Sequence, residues 1–304
     1  MTGELTRSLQ LGGIDPMATL APLGGWPSDR TKSWLPDGFA RAVLTPGGPG
    51  TLELRWAAGG EATARAWGRG ATWLIDQADA WLGLRDSLDG FDPSLHPNVA
   101  QLWRRASGQR MVASGVVWQE LLQAIVGQRV TSKDAAGGWR RMVGAWSEPA
   151  PGPHELMLPP SPEAMRAVTY IDLHRFDVER RRADAMLLAA RHAVRLEEAA
   201  TMNTADAVKR LTALPGLGAW TATTVANAAL GDPDVVLIGD FWLPTAVTYN
   251  LTGDPTYHTD EVRMLAALEP FAGHRGRICK LLLSAGSMPP RRAPRPAYQR
   301  IAHR

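Results

Sequence analysis

The sequence predicts a mainly α protein that begins with a small α+β domain containing an antiparallel sheet. Three observations support this prediction. Short alternating stretches are confined to the first 95 residues, apolar residues recur at helical spacing from residue 97 onward, and proline-rich loops separate the helical stretches. At 304 residues the chain is long enough for roughly two domains with sizeable cores.

The N-terminal region combines strand and helix patterns. Residues 51–57, TLELRWA, alternate apolar and polar side chains as a half-buried strand does. Residues 39–44, before the turn TPGGPG, are predicted as a partner strand, and residues 62–67 as a third. Residues 72–84 carry apolar side chains at helical spacing. We therefore predict an α+β domain over residues 1–95.

The remaining chain is predicted as a series of helices. They cover residues 98–106, 116–126, 133–146, 162–168, 178–198, 205–211, 220–230, 259–268 and 276–285. The loop 147–162 contains too many prolines to be helical. The basic tail, 291–304, is predicted to be loosely ordered and flexible.

Composition excludes several classes of protein. No run approaches the ~18 apolar residues of a membrane span, and the N-terminus lacks the regions of a secretory signal, so we expect a cytoplasmic protein. The single cysteine, Cys279, excludes an internal disulfide, a cysteine-rich zinc site and a four-cysteine iron–sulfur cluster. No HExxH, GxSxG or Ser–His–Asp arrangement is visible, which argues against a zinc or serine hydrolase.

The charge distribution favours a polyanionic partner. The net charge is only +3, but the chain holds 33 Lys and Arg residues of which only Lys32, Lys133, Lys209 and Lys280 are lysines. Arginine binds phosphate in a bidentate way and stacks on bases. No acidic residue follows Glu269, whereas basic residues continue to the end of the chain. GC-rich coding and a merely solubilising tail are the alternative explanations.

The segment 211–240, LTALPGLGAWTATTVANAALGDPDVVLIGD, carries the strongest functional signal. A Pro-Gly-Leu-Gly turn, residues 215–218, precedes a predicted helix, and an apolar run then ends at Asp240. Glycine turns at a helix N-terminus present N–H groups that attract phosphate. The pattern thus predicts a phosphate-binding turn and a reactive carboxylate. The alternative is an ordinary connection between helices followed by a surface aspartate.

Together these segments resemble the helix–hairpin–helix DNA glycosylase superfamily, most closely its bacterial AlkA type (DNA-3-methyladenine glycosylase II). The hairpin is LPGLGAWTA, the aspartate segment is GDPDVVLIGDFWL, and LLQAIVGQRVTS and PFAGHRGRICKLLLSAG resemble further segments of the family. The resemblance spans nearly the whole chain. It implies a two-lobed helical core over residues 96–290, with one lobe at about 116–230 and the other formed by 96–115 and 231–290.

The resemblance implies a monofunctional glycosylase of base excision repair. Such an enzyme flips a damaged, here alkylated, base out of duplex DNA and hydrolyses its N-glycosidic bond, leaving an abasic site. Asp240 would stabilise the oxocarbenium-like sugar; alternatively it caps the next helix. Trp220 occupies the position at which strand-nicking relatives carry a lysine, so no AP-lyase activity is expected.

The resemblance also implies the site residues and partners. Expected DNA contacts are Gly216, Leu217, Gly218, Trp220, Thr221, Gln128, Arg129 and Arg275. The expected base pocket contains Trp220, Trp242, Trp118, Thr224 and Leu283, although Trp118 lies on an apolar helix where a core position is favoured. A monovalent cation, Na+ or K+, is expected on the backbone carbonyls of Thr212, Leu214 and Leu217. The partner is double-stranded DNA, no cofactor is required, and a nucleoid-associated monomer is expected.

The sequence departs from the AlkA pattern at two places. Arg129 stands where that type has an apolar wedge, so it either probes the base stack or contacts a phosphate. Thr224 and Leu283 replace two stacking aromatics of the pocket. Two alternative functions therefore stay open: a glycosylase for deaminated or oxidised bases, and a catalytically silent DNA-binding protein. A hydrolase unrelated to DNA is a remote third.

Overall fold

A five-stranded antiparallel sheet is followed by a series of helices in the computed structural model, which describes residues 3–26 and 28–290. The strands are β1 (Leu5–Gln10), β2 (Lys32–Leu35), β3 (Gly38–Thr45), β4 (Gly48–Trp56) and β5 (Glu61–Gly68). Their spatial order is β1-β5-β4-β3-β2. The predicted fold class, a mainly helical chain with an N-terminal α+β region, is confirmed.

The N-terminal sheet contains the three predicted strands and two edge strands that the sequence did not predict. β3, β4 and β5 correspond to the predicted stretches, with a tight turn pairing Thr45 and Gly48. Two helices, α1 (Pro16–Gly24) and α2 (Ala71–Trp81), also belong to this region. Apolar side chains of α1, α2 and the strands form one buried cluster.

Twelve further helices lie within residues 97–285 of the described chain. They are α3 (Pro97–Ala106), α4 (Val117–Gly127), α5 (Ser132–Trp146), α6 (Pro162–Arg166), α7 (Tyr170–His174), α8 (Arg180–Arg191), α9 (Ala193–Glu197), α10 (Thr204–Thr212), α11 (Ala219–Leu230), α12 (Leu243–Thr252), α13 (Glu261–Leu268) and α14 (Arg275–Ala285). The prediction of one helix over 178–198 is wrong, because the backbone leaves the helical conformation at His192 (φ −107°, ψ 12°). Helix α12 was not predicted.

Two apolar cores divide the helices into two lobes. The first core contains side chains of α4 to α11, between residues 117 and 229. The second combines α3 with α12 to α14, and its largest members include Leu243, Met264 and Phe271. The chain passes from the first lobe to the second after Gly231, whose φ of +68° ends α11 in the left-handed conformation. The segment that joins the lobes carries Asp240.

Buried ion pairs join the sheet region to both lobes. Arg41 of β3 lies 2.9 Å from the Glu120 carboxylate of α4, and both side chains are almost completely buried. Arg277 of α14 donates to both carboxylate oxygens of Asp86 at 2.7 Å. Because breaking a buried pair leaves an uncompensated charge, these contacts fix the sheet region relative to the helices.

The proline-rich segment 147–162 is not helical, apart from the start of α6 at its last residue, as predicted. It forms an isolated bridge between Pro149 and Met157, and its apolar side chains pack on β3. The predicted flexible tail, 291–304, lies outside the described residues. Within the described ranges, no helix has the length and apolar character that a membrane crossing requires.

Candidate functional site

The glycine turn between α10 and α11 is locked onto its surroundings. Gly216 has a φ of +90°, which favours glycine, and a Cβ added there would lie 2.7 Å from the Cβ of Ala185 on α8. Leu217 is only 3% exposed and belongs to the first core. We call residues 213–218 the hairpin turn. Its close packing fixes the direction in which α11 begins.

The N-terminus of α11 is open to a ligand. Gly218 is its N-cap residue and provides no side-chain cap, so side chains do not occupy the first amide groups of the helix. A Cβ at Gly218 would meet nothing within 4 Å. Gly218 has an ordinary φ of −82°, so its conformation does not require glycine, contrary to our reasoning from the sequence. The role of glycine here is that the missing side chain leaves open space in front of the first amide groups of α11.

Gln128 connects the loop after α4 to the hairpin turn. Its Nε2 donates to the carbonyl of Gly216 at 3.1 Å and to the hydroxyl of Thr221 at 2.8 Å. The Thr221 side chain is 2% exposed. Both residues were predicted as DNA contacts. Their hydrogen bond positions the hairpin turn, the Thr221 side chain is too buried to reach DNA, and a DNA contact by Gln128 stays a prediction.

Asp240 lies against the first turn of α11. Its Oδ2 accepts from the indole Nε1 of Trp220 at 3.2 Å. Its Oδ1 accepts from the backbone N–H groups of Trp242 and Leu243, both at 2.8 Å, and thereby caps the start of α12. The helix-capping alternative is therefore observed, and it coexists with a position beside the hairpin. Among the residues that the structure describes, Asp240 forms no ion pair.

Gly239 allows this close approach of Asp240 to α11. Gly239 has a φ of +86°, and a Cβ there would lie 3.3 Å from the Cβ of Trp220. The far end of the Trp220 indole faces Gly127, the last residue of α4, where an added Cβ would lie 3.5 Å from the ring. The indole therefore links α4 to Asp240. Sequence reasoning missed Gly239, although its place directly before Asp240 was a signal.

Aromatic side chains beside Asp240 form an exposed surface, which we call the aromatic platform (Phe241, Trp242 and Tyr257). Trp242 packs edge-on against Phe241 at 4.8 Å and against Tyr257 at 6.2 Å. Phe241 is 64% and Trp242 42% exposed. In the free protein these two apolar neighbours of Asp240 are therefore exposed and do not enclose the carboxylate.

The other predicted pocket residues lie in different environments. Trp118 is buried in the first core and donates from Nε1 to the carbonyl of Pro160 at 2.9 Å, so its placement in the pocket was wrong. Thr224 lies one turn beyond Trp220 on α11, and its buried hydroxyl oxygen has no hydrogen-bond partner among the described residues. Leu283 is exposed on α14.

The two arginines that were predicted as DNA contacts have different surroundings. Arg129 is exposed and has a φ of +55°, an uncommon conformation for a side-chain-bearing residue. Arg275 instead binds Asp234 through its side chain and its backbone N–H. The hydrogen bonds that the Arg275 side chain donates to the Asp234 carboxylate raise the pKa of Arg275. Since Asp234 already occupies the guanidinium, the structure does not support a direct phosphate contact by Arg275.

Within residues 3–26 and 28–290, Cys279 does not supply a second reactive group for the carboxylate. Cys279 is buried in the second core, and burial, reinforced by the charges of Asp240 and Asp234, raises the pKa of its thiol to about 12. The thiol is therefore protonated at neutral pH and is a poor nucleophile. The described residues hold no group of three or more His, Cys, Asp or Glu side chains suited to a metal.

The expected monovalent cation stays a prediction. The carbonyl of Leu214 accepts from the N–H of Leu217 at 3.1 Å, and Thr212 bonds back to its own helix. A carbonyl oxygen has two lone pairs, so this turn hydrogen bond leaves Leu214 able to bind a cation. Backbone carbonyls of this kind are suitable ligands for Na+ or K+ because hard cations prefer oxygen.

Comparisons with known proteins give fold and family resemblance. No protein-family model matches the chain. A Bacillus subtilis protein that carries the name of a DNA-3-methyladenine glycosylase, YfjP, is 25% identical over 168 residues, 54% of this chain and 56% of the relative. A Mycobacterium tuberculosis protein named as a bifunctional transcriptional activator/DNA repair enzyme AlkA is 30% identical over 52% of this chain. The chain covers 31% of that relative.

Solved structures match over almost the whole chain. A 3-methyladenine DNA-glycosylase from Archaeoglobus fulgidus has a TM-score of 0.76 at 18% identity and covers 91% of this chain and 97% of its own. An 8-oxoguanine glycosylase/lyase from Clostridium acetobutylicum has a TM-score of 0.72 at 11% identity, covering 94% and 98%. These likenesses establish the fold. Together with the sequence relatives, they confirm the predicted resemblance to the helix–hairpin–helix DNA glycosylase superfamily and its AlkA type.

Proposed function

We propose that this protein is a DNA glycosylase that removes an alkylated base from duplex DNA. One observation carries the proposal: the Asp240 carboxylate is held by N–H groups of Trp220, Trp242 and Leu243, directly beside the hairpin turn. A turn that binds a DNA phosphate would place the neighbouring nucleotide next to this carboxylate. The names of the sequence relatives support the same activity.

The proposed reaction begins with extrusion of the damaged base, because a base stacked in the duplex is inaccessible. As the bond from C1′ to the base lengthens, the sugar acquires oxocarbenium character. The Asp240 carboxylate stabilises that positive charge and orients the attacking water. Its orientation is fixed before DNA arrives, since N–H donors bind both of its oxygens. Such preorganisation avoids a reorganisation cost during the reaction.

The amide groups at the start of α11 would hold the DNA backbone. The partial positive charge of a helix N-terminus attracts phosphate without reading sequence. Gly218 leaves the room that a phosphate needs, since nothing lies within 4 Å of its Cβ direction. A Na+ or K+ ion on the carbonyls of Thr212, Leu214 and Leu217 would add positive charge at the same turn. The site of action would be the cytoplasm, at the nucleoid.

An alkylated purine is cationic, and an exposed aromatic face attracts a cation. The aromatic platform offers such a face beside Asp240, with Trp242 42% exposed. A second candidate substrate is an oxidised or deaminated base. It is favoured by Thr224 and Leu283, which stand where the AlkA type has stacking aromatics, and by the Thr224 hydroxyl, which has no hydrogen-bond partner among the described residues.

The reaction is proposed to stop at the abasic site. A strand-nicking glycosylase needs an amine beside the sugar to form a Schiff base. The indole of Trp220 occupies that side of the hairpin, and the Lys280 ammonium is bound to the carbonyls of Thr19 and Arg110. Borohydride treatment of a reacting mixture would then trap no protein–DNA adduct. A trapped adduct would show that a lysine or another amine reaches the sugar.

The main test compares wild type with Asp240→Asn on duplexes carrying alkylated, deaminated or oxidised bases. Asparagine retains the Oδ1 acceptor that caps α12, so the fold should persist. We expect base release to fall by a factor on the order of 10²–10³, with binding to an abasic-site analogue retained. The matched control, Asp260→Asn at the N-cap of α13, should release base at the wild-type rate.

The outcomes separate the alternatives. Release of alkylpurine by wild type, and its loss in Asp240→Asn, supports the proposal. Release of only oxidised or deaminated bases would favour the second candidate. Equal DNA binding by both proteins without release of any base would identify a silent DNA-binding protein and contradict the catalytic proposal.

A further inference from the structure

Basic side chains line a pocket at the loop that follows α4. A pocket of about 290 Å³ is lined by Gln128, Arg129, Val130, Glu179, Arg181 and Arg182. We call it the arginine pocket. Three arginines and one glutamate belong to this lining, so its charged residues are mainly positive. Neither Asp240 nor the aromatic platform belongs to it.

The first turn of α8 contributes to the wall of the pocket. This helix has 12 residues, and its N-cap residue, Glu179, makes no hydrogen bond from its side chain to the first turn. The initial amide groups are therefore not capped by a side chain, and the helix dipole adds partial positive charge there.

Arg182 gives independent evidence for a missing acceptor. Its side chain is 6% exposed, and its two terminal nitrogens donate to the carbonyls of Val126 and Asp177 at 2.8 and 2.9 Å. Its Nε is buried without a hydrogen-bond partner; the Glu179 carboxylate lies 3.9 Å away. A buried donor without an acceptor is destabilising. Because Nε itself is buried, an anion in the pocket would act on Arg182 through its charge and not through a hydrogen bond.

The arginine pocket adjoins the hairpin turn. Arg181 and Ala185 are four residues apart on α8, about one turn and a rise of about 6 Å. Ala185 is the residue that packs against Gly216. Gln128 lines the pocket and also donates to the Gly216 carbonyl. The pocket and the hairpin turn are therefore two neighbouring positions for anions on one surface.

We propose that the arginine pocket binds a second phosphodiester of the DNA backbone, next to the phosphate at the hairpin turn. The proposal depends on the proposed function, because it assumes a duplex on this surface. Arg181 and Arg129 are exposed and supply the direct contacts, and Arg182 holds the first turn of α8 in place. Free inorganic phosphate has the same chemistry, so the test must separate the two sources.

The neighbouring pair Arg180 and Asp184 provides a matched control. Arg180 lies beside Arg181 but binds Asp184 at 3.0 Å and stacks over Tyr170 outside the pocket. Arg181→Gln and Arg180→Gln each remove one charge from adjacent exposed positions. Glu179→Gln and Asp184→Asn likewise each remove one negative charge, the first inside the pocket and the second outside it.

The experiment measures Kd for a duplex containing an abasic-site analogue between 50 and 200 mM salt. Arg181→Gln should reduce the slope of log K against log salt by about 0.9 and weaken binding roughly 3–10-fold at low salt. Arg180→Gln should leave the slope unchanged. Glu179→Gln should tighten binding more than Asp184→Asn does. Thermal unfolding verifies that each variant is folded.

Three outcomes would overturn the proposal. Equal slopes for Arg181→Gln and Arg180→Gln would show that only bulk charge matters; base release by wild type would then leave the proposed function intact. Binding of inorganic phosphate that depends on Arg181, with an unchanged DNA slope, would identify a free-anion site. Failure of wild type to bind the duplex at all would remove both proposals together.

Discussion

The two flanks of Asp240 are packed differently. On the hairpin flank, Leu217 is 3% exposed, Gly216 contacts Ala185 directly, and Gln128 bonds the turn to the end of α4. On the platform flank, Phe241 is 64% and Trp242 42% exposed. Among the described residues, the first flank is closely packed, whereas the second leaves a large aromatic area exposed.

This difference in packing indicates that the two flanks have different roles. Under the proposed function, a rigid hairpin would lower the ordering cost of binding a DNA backbone. The exposed platform would contact one extruded base, whose burial would supply binding energy. Substitutions of packed residues on the hairpin flank should therefore reduce stability, and those on the platform should reduce activity with little effect on stability.

The largest effect separates two tryptophans that the sequence placed in one pocket. Trp118→Ala empties a buried site and should reduce the free energy of unfolding by about 3–5 kcal/mol. Trp242→Ala should reduce the free energy of unfolding by less than about 1 kcal/mol. It should lower kcat/KM for a cationic base by a factor that corresponds to a barrier increase on the order of 0.5–2 kcal/mol. Urea unfolding and base release measure the two quantities. Equal destabilisation by both variants would contradict the comparison.

The next prediction compares alanine substitutions at the two glycines of the hairpin turn. Gly216→Ala forces a side chain into a left-handed conformation and against Ala185, and should cost roughly 2–4 kcal/mol. Gly218→Ala has an ordinary backbone and open space, so its stability should change by less than about 0.5 kcal/mol. Its added methyl group stands where the phosphate is proposed, so DNA affinity should fall. Unchanged affinity in this variant would indicate that the phosphate binds elsewhere.

Much of the architecture could be predicted because its signals are local. The alternation in residues 51–57 and the apolar spacing in 219–230 depend on neighbouring residues only, and both elements are present. Helix α12 escaped prediction because LPTAVTYNLT is rich in β-branched residues, which have low helix propensity. The local cap by Asp240 at its start was one of the alternatives that the sequence offered. Edge strands β1 and β2 are likewise short and defined by their partners.

The candidate site was predicted less evenly. The resemblance implied that Asp240 and Trp220 belong to one site, and a hydrogen bond joins them in the structure. Spacing did not reveal which side chains already have partners. Arg275 is bound to Asp234, and Gln128 to Thr221, because of contacts between residues distant in sequence. The arginine pocket was not predicted for the same reason, although the run of three arginines at residues 180–182 was visible.

The third prediction concerns α14, which carries Leu283 and is tied to the sheet region by Lys280. Burial lowers the pKa of Lys280 to about 7, whereas the unfolded chain holds that proton up to about pH 10.5. Between pH 7 and 9 the unfolded state therefore binds more protons than the folded state, so stability rises with pH. The rise should be about 1–2 kcal/mol, discounted for partial exposure.

Unfolding in urea at several pH values measures that rise. Lys280→Met should flatten it, because the titrating group is absent. The window ends near pH 9, where ionisation of Cys279 in the unfolded chain begins to oppose the trend. A wild-type stability that does not change between pH 7 and 9 would contradict the assignment. The hairpin flank contains no such group, so Lys209→Met on exposed α10 is the control.

The smallest effect tests whether Gln128 acts by positioning the hairpin turn. Gln128→Ala leaves the buried Thr221 hydroxyl without its partner and should cost about 1 kcal/mol. Replacing both partners, in Gln128→Ala with Thr221→Val, should cost less than the two separate changes added together, because no polar group is then left unsatisfied. DNA affinity should fall in Gln128→Ala and also in the double variant, because both lack the side chain that donates to the Gly216 carbonyl. If the double variant instead binds DNA as wild type does, the link from α4 to the hairpin turn contributes stability alone, and the rigidity of that flank arises from Leu217 and the packing of Gly216 on Ala185.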